Sequence, residues 1–303
     1  MAHRTHNFTD RQKMSRNTFE IYHYRSENVK EVALHHHDFY EIYFFISGNV
    51  SYNIESRSYR LSPGDVLLIN PQELHQPIFP PEKQHYERYV LWISSGFLQK
   101  FSMSEQDLSR CFNTKVPGHT NLIRPDGVSR ELLMYLFQQL IREQDSQEYA
   151  SELCCLSLLG QLLVLVNRAA LRTGQVPEAR DNADSVVYRI LGYISDHYNE
   201  DLSLDFLANE FFISKYHLSR EFSRVVGTSV HRYIVQKRLI MARQMMAAGI
   251  STSEVSQRCG FGDYSNFYRA FIGEYQISPR KYLEELKQEF PQHPDLSLLR
   301  DRE

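Results

Sequence analysis

Cysteine is scarce in this chain of 303 residues, and long apolar runs are missing. Its four cysteines, Cys111, Cys154, Cys155 and Cys259, form no C-x-x-C pair, and two are neighbours that could hardly bridge each other, which argues against a disulfide framework. The greasiest stretch, residues 153–166, is broken by Ser157, Gly160 and Gln161 and falls short of the ~20 residues a spanning helix needs. The first ten residues, MAHRTHNFTD, lack the apolar core of a signal peptide. An excess of charge is lacking too: 34 basic against 37 acidic residues give a net charge of -3, so any attraction to nucleic acid must come from local clustering. We therefore expect a reducing, cytoplasmic protein that does not enter a membrane.

What is present fits a packed globular chain. Apolar residues make up 42% and charged ones 23%, and the length exceeds one ordinary core, which predicts two domains. Between about residues 18 and 95 short strands alternate with tight turns. Val50, Tyr52 and Ile54 alternate with Ser51, Asn53 and Glu55, Gly48-Asn49 and Ser62-Pro63-Gly64-Asp65 supply turns, and His85 to Ile93 reads as a further strand. A barrel or sandwich follows from this pattern. Residues 128–143 and 148–171 carry apolar side chains at helical spacing, and in the second helix extra leucines at 158, 162 and 165 widen the apolar surface. That width suggests two partners, with two readings: a helix pinned deep against the barrel, or a helix shared with a second subunit. Residues 172–184 are polar, contain Gly and Pro, and read as a linker.

Beyond the linker the chain repeats itself. Leu202-Ser203, Leu207-Ala208 and Phe211 match Ile250-Ser251, Val255-Ser256 and Cys259 at an offset of 48 residues; after a turn one residue longer, Leu218, Arg220 and Phe222 match Phe267, Arg269 and Phe271 at 49. Each copy is a short helix, a turn and a second helix. Leu218 with Phe222, and Phe267 with Phe271, form the buried stripes, leaving Lys215, Tyr216, Ser219 and Arg220, and Tyr264, Ser265, Tyr268 and Arg269, on the outer faces. Arg bonds guanine edges bidentately, hydroxyls reach bases or phosphates, and rings touch sugars or thymine methyls. From Phe211 to Lys281, eleven Lys/Arg stand against four acids, a local +7 in an acidic protein.

Here the sequence resembles the AraC/XylS family of bacterial transcription regulators: I-S-K-Y-H-L-S-R-E-F (213–222), G-T-S (227–229), R-L-I-M-A-R (238–243), G-F-G-D-Y-S-N-F-Y-R-A-F (260–271) and S-P-R-K-Y (278–282) follow its signature. Gln276 stands where that family often has glycine. The resemblance implies a long helix near 230–248 joining the two motifs, base-facing roles for Tyr216, Ser219, Arg220, Tyr264, Ser265 and Arg269, and subsites about 10 bp apart.

In the amino-terminal half His35, His37 and Glu41 make H-x-H-x3-E-x6-G, closed by Gly48. On a continuous strand they share one face with Phe39 and Tyr43, and His75 can approach it from a neighbouring strand. The spacing resembles the first cupin motif, and S-P-G-D-V-L-L-I-N-P-Q-E-L-H (62–75) resembles the second, with Val29 and Glu73 in place of glycines. Sensor cupins of the family hold a small polar effector, often a sugar, without bound metal. His35, His37, Glu41, Tyr43, His75 and Trp92 are the candidate effector contacts; Zn, Fe, Mn or Ni on His35, His37, Glu41 and His75 is the alternative.

The sequence thus predicts an α+β two-domain protein. A cupin-like β-barrel with flanking helices (1–171) binds the effector and dimerises, a linker (172–184) follows, an all-α domain with two helix-turn-helix motifs (185–290) grips double-stranded promoter DNA, and 291–303 form a tail. The expected function is a homodimeric activator that meets RNA polymerase, with no cofactor and no catalysis. The competing reading is a metal-dependent cupin enzyme with a DNA-binding tail.

Overall fold

The computed structural model describes residues 12–27, 32–80, 85–102, 106–173 and 185–289. They form two compact units, divided between Tyr188 and Arg189. Val29, most of the expected linker and the tail lie outside the described residues.

The first unit is built on strand alternation. Strands β1 (Phe19–Glu27), β2 (Phe39–Ser47), β5 (Val66–Ile69), β7 (His85–Ser94) and β8 (Leu122–Ile123) pair antiparallel in the order β1-β7-β2-β5-β8. A smaller sheet runs β4-β3-β6, from β3 (Ser51–Ile54), β4 (Arg57–Arg60) and β6 (His75–Ile78). Because successive side chains point to opposite faces, the large sheet feeds two cores. Ile42, Phe44, Val66, Leu68, Leu91 and Ile93 pack against helices; Phe39, Tyr43, Phe45, Leu67, Ile69, Val90 and Trp92 face Tyr52, Ile54 and Tyr59 of the small sheet. The second core is the barrel interior, and its tyrosines give it a polar lining inside an apolar wall.

Helix α1 (Ser95–Phe101) follows β7, and α2 (Gly127–Glu143) and α3 (Ser151–Thr173) cover the outer face of the large sheet. Asp126 caps α2 by accepting from the Ser129 amide. By length and composition α3 could cross a bilayer, which corrects the sequence reading: the polar residues that break the apolar run do not break the helix. Its Cys155, Leu159, Leu162, Leu163 and Val166 are instead buried in the core, each leucine contributing about 1.5–3 kcal/mol. The widened apolar surface also divides differently from expectation. Leu162 is buried and Leu158 and Leu165 pack partly into the same core, while the bare side of the helix carries Leu153, Val164 and Leu171. At 100° per residue, position 162 falls within the buried stripe and positions 158 and 165 on its flank rather than opposite it.

The second unit is helical: α4 (Val186–His197), which begins just before the division, then α5 (Leu204–Glu210), α6 (Lys215–Val226), α7 (Val230–Ala247), α8 (Thr252–Arg258), α9 (Tyr264–Tyr275) and α10 (Pro279–Glu289). Ser203, Ser214, Ser229, Ser251 and Asp263 cap α5 to α9 in turn, each side chain accepting from an amide in the first turn. At the carboxyl ends, Gly227 closes α6 in the left-handed region at φ 72°, and Gln276 does the same for α9 at φ 59°. The last turn that glycine would favour is thus kept by glutamine, whose amide donates to the Ile272 and Gly273 carbonyls.

Candidate functional site

Inside the barrel the histidines converge, although not on a continuous strand. Strand β2 starts only at Phe39; His37 precedes it and stacks on Phe39 at 4.0 Å, while His35 forms an isolated two-way backbone bridge with His75. The fold-back at the exposed Asp38 breaks the expected strand yet keeps the rings together. His35 and His75 lie 4.3 Å apart, and His37 and His75 4.9 Å, centroid to centroid. Each Nδ1 donates to a backbone carbonyl, of Ala33, Phe39 and Glu73 respectively for His35, His37 and His75, which fixes the rings and leaves Nε2 as the chemical face. His37 Nε2 bonds Glu41 Oε2 at 2.8 Å. His75 Nε2 is buried without a hydrogen-bond partner, and so is Trp92 Nε1, which lies across the strand pair from Glu41. Burial, reinforced by His35 and His37, holds the His75 imidazole well below the usual histidine range, so it stays neutral.

Other interior groups are spoken for. The buried hydroxyls of Tyr43 and Tyr86 hydrogen-bond each other, and burial raises both phenols. Glu73, at the place of a motif glycine, accepts from the Asn70 amide and from Asn121 Nδ2, pinning the turn before His75. Donor atoms of His37, Glu41 and His75 lie within 4.8 Å of one another, a set compatible with a divalent ion. His35 is not part of that set. A cleft of about 380 Å³ opens elsewhere on this unit, between Arg124, Leu165 and Arg172, away from the histidines.

In the second unit Leu218, Phe222, Phe267 and Phe271 are buried, so the opposite faces of α6 and α9 turn outward. Lys215, Tyr216, Ser219, Arg220, Tyr264, Ser265, Tyr268 and Arg269 are all exposed, Tyr216 to 76%. Lys215 pairs with Asp205, and Arg269 donates to Asn266 Oδ1 at 2.7 Å and to the Ser265 carbonyl. Arg220 makes no hydrogen bond or ion pair among the described residues. Three of the eleven bases serve packing instead: Lys237 is buried, Arg238 donates to the Tyr198 and Glu200 carbonyls, and Arg243 lies over Tyr275 and Tyr282. A count of charges cannot distinguish these from solvent-facing ones.

A family model described as an AraC-like ligand binding domain matches residues 19–163, and one described as a helix-turn-helix domain matches 207–285. The chain belongs to the AraC family of transcription regulators. Among curated relatives of this AraC-family chain, the HTH-type transcriptional activator RhaS of Salmonella arizonae is 28% identical over 247 residues, covering 81% of this chain and 85% of the relative. RhaS of Salmonella typhimurium is 27% identical over the same shares. Solved structures to which the chain is similar include the AdpA DNA-binding domain in complex with a target DNA (21% identity, 35% of this chain and 97% of that one, TM-score 0.34). Another is Vibrio cholerae ToxT with bound unsaturated fatty acid (12%, 90% and 97%, TM-score 0.39).

Proposed function

We propose that this regulator reads promoter DNA with Lys215, Tyr216, Ser219 and Arg220 of α6 and with Tyr264, Ser265, Tyr268 and Arg269 of α9. The observation that carries the reading is the exposure of all eight side chains on two capped helices whose inner faces are fully buried. The barrel receives a small polar effector such as a sugar, met by His37, Glu41, His75, Tyr43 and Trp92, with His35 bordering them; the partnerless His75 Nε2 and Trp92 Nε1 support a polar ligand there. Two copies associate through the bare side of α3, where Cys154, Ser157, Gln161, Val164, Arg168 and Leu171 recur at alternating intervals of three and four. The regulator acts in the cytoplasm as an activator alongside RNA polymerase, in line with the activator name of its relatives. It uses no catalysis.

Footprinting on a duplex selected by the full chain tests DNA reading. Arg220→Ala or Arg269→Ala is expected to weaken binding by ~1–3 kcal/mol and to relax selection at one base pair. Equal weakening on selected and random duplexes would reject base reading. A second reading is favoured by the 4.8 Å cluster: a metal held by His37, Glu41 and His75. Stoichiometric Zn, Fe, Mn or Ni in purified protein, lost in His37→Ala, would establish it.

A further inference from the structure

Strand β7 sends Tyr86, Arg88, Val90 and Trp92 toward the barrel interior, and one of these four is a permanent cation. Arg88 is only 7% exposed. Its guanidinium lies 4.7 Å from the ring centroid of Tyr24 and 4.1 Å from that of Tyr86, and Nη1 donates to Ser26 Oγ at 3.1 Å. Among the described residues no carboxylate pairs with it. The two buried acids of this region are engaged: Glu41 bonds His37, and Glu20 accepts from the Tyr22 hydroxyl and the Ser15 and Arg16 amides. The exposed Arg25, one strand away, by contrast holds Glu87 at 2.6 Å. A cation in water needs a partner least, and here it has one, whereas the buried cation has only rings and a hydroxyl. Aromatic faces offset part of the desolvation of a guanidinium, but they satisfy neither its fork of N–H donors nor its charge.

We propose that Arg88 is the anion-recognition group of the effector pocket, and that the effector carries a carboxylate or phosphate which pairs with this guanidinium. The proposal rests on the barrel being the effector site. Arg88 stands four residues from Trp92 on the same strand, about 13 Å along it, with Tyr43 opposite Val90 between them. The two side chains enter one interior, where the charged end of the effector meets Arg88 between Tyr24 and Tyr86 and its hydroxyl end faces Trp92 Nε1 and His75 Nε2. Planar bidentate pairing suits Arg, so lysine is a poor replacement.

The test compares the melting temperature and ligand affinity of the full chain with those of Arg88→Gln, Arg88→Lys and Trp92→Phe. The probes are galacturonate, galactose 6-phosphate, galactose, acetate and inorganic phosphate. At least one anionic sugar is expected to bind the wild-type chain roughly 10–100-fold more tightly than galactose. Arg88→Gln should abolish that preference and Arg88→Lys retain part of it. Galacturonate and galactose 6-phosphate separate carboxylate from phosphate recognition. Without ligand, Arg88→Gln should melt no lower than wild type, because an uncompensated charge is removed. Galactose binding as tightly as its anionic partners, a preference that survives Arg88→Gln, no anion-dependent difference between the two chains, or a ligand-free Arg88→Gln that melts several degrees lower would each overturn the proposal. A ligand lost in Trp92→Phe but kept in Arg88→Gln sinks this proposal alone; one unaffected by both changes lies outside the barrel and sinks the effector reading with it.

Discussion

At the scale of single residues, His75 shows how burial turns a side chain into a condition on folding. Its imidazole is kept neutral by burial and by two neighbouring histidines, while the unfolded chain protonates it near 6.5. Below that pH the unfolded state binds the extra proton, so stability must fall as pH drops and is insensitive to this residue above about 7.5. The difference in urea midpoint between wild type and His75→Gln should therefore change between pH 7.5 and 5.5, with the wild-type chain losing up to ~1.4 kcal/mol per pH unit more than the variant. A constant difference would show that His75 protonates equally in both states. Arg88 is the complementary case, a buried cation that meets two aromatic rings and a hydroxyl.

At the scale of elements, the two helix-turn-helix copies provide an internal control. In both, the turn after the first helix is closed by the same pair of backbone bonds: Phe212 N to Asn209 O and Ile213 N to Ala208 O, then Gly260 N to Gln257 O and Phe261 N to Ser256 O. The left-handed residue is Phe212 at φ 55° in one copy and Gly260 at φ 76° in the other. Glycine is required at 260, where a Cβ would stand 2.6 Å from the Asn199 carbonyl oxygen. At 212 the side chain is 95% exposed, so nothing blocks a Cβ but the backbone is strained all the same. Phe212→Gly is expected to raise stability by ~1 kcal/mol, measured by urea unfolding. Gln276→Gly should gain less, because it gives up the side-chain bonds to the Ile272 and Gly273 carbonyls. A loss of stability in Phe212→Gly would mean that the exposed ring contributes contacts on folding.

For the whole molecule the question is how much of the basic surface meets phosphate. With Lys237, Arg238 and Arg243 committed to packing, eight of the eleven bases from 211 to 281 remain, so the salt dependence of one copy on DNA should be no steeper than a log–log slope of about -7. A steeper slope would require bases from elsewhere in the chain. Pairing through α3 makes a separate demand. Val164→Asp places a charge on the seam and should shift the protein from dimer to monomer in sedimentation equilibrium at micromolar concentration, weakening binding to a two-site promoter by ~10²-fold or more through lost linkage. A wild-type chain already monomeric there would remove α3 as an interface. An effector alters promoter occupancy only if it favours one arrangement of the two units over another.

Local chemistry carried much of this into the sequence. Strand alternation marked the barrel wall, the repeat at 48–49 residues and its i,i+4 apolar pairs marked the duplicated motif, and the outward faces of α6 and α9 followed from which residues had to be inward. The rest depended on neighbours distant in the chain. Periodicity could say that α3 was apolar on more than one side but not which leucines the sheet would cover, since that is set by the rotation of a helix docked on a surface. Spacing could place His35, His37 and Glu41 together but not the break at Asp38 that folds one ring over Phe39. Arg88 carried little local sign: on a strand it reads like the exposed Arg25, and only the closing of the barrel between Tyr24 and Tyr86 decides that one arginine stands in solvent beside a carboxylate while the other is buried against two rings and a hydroxyl.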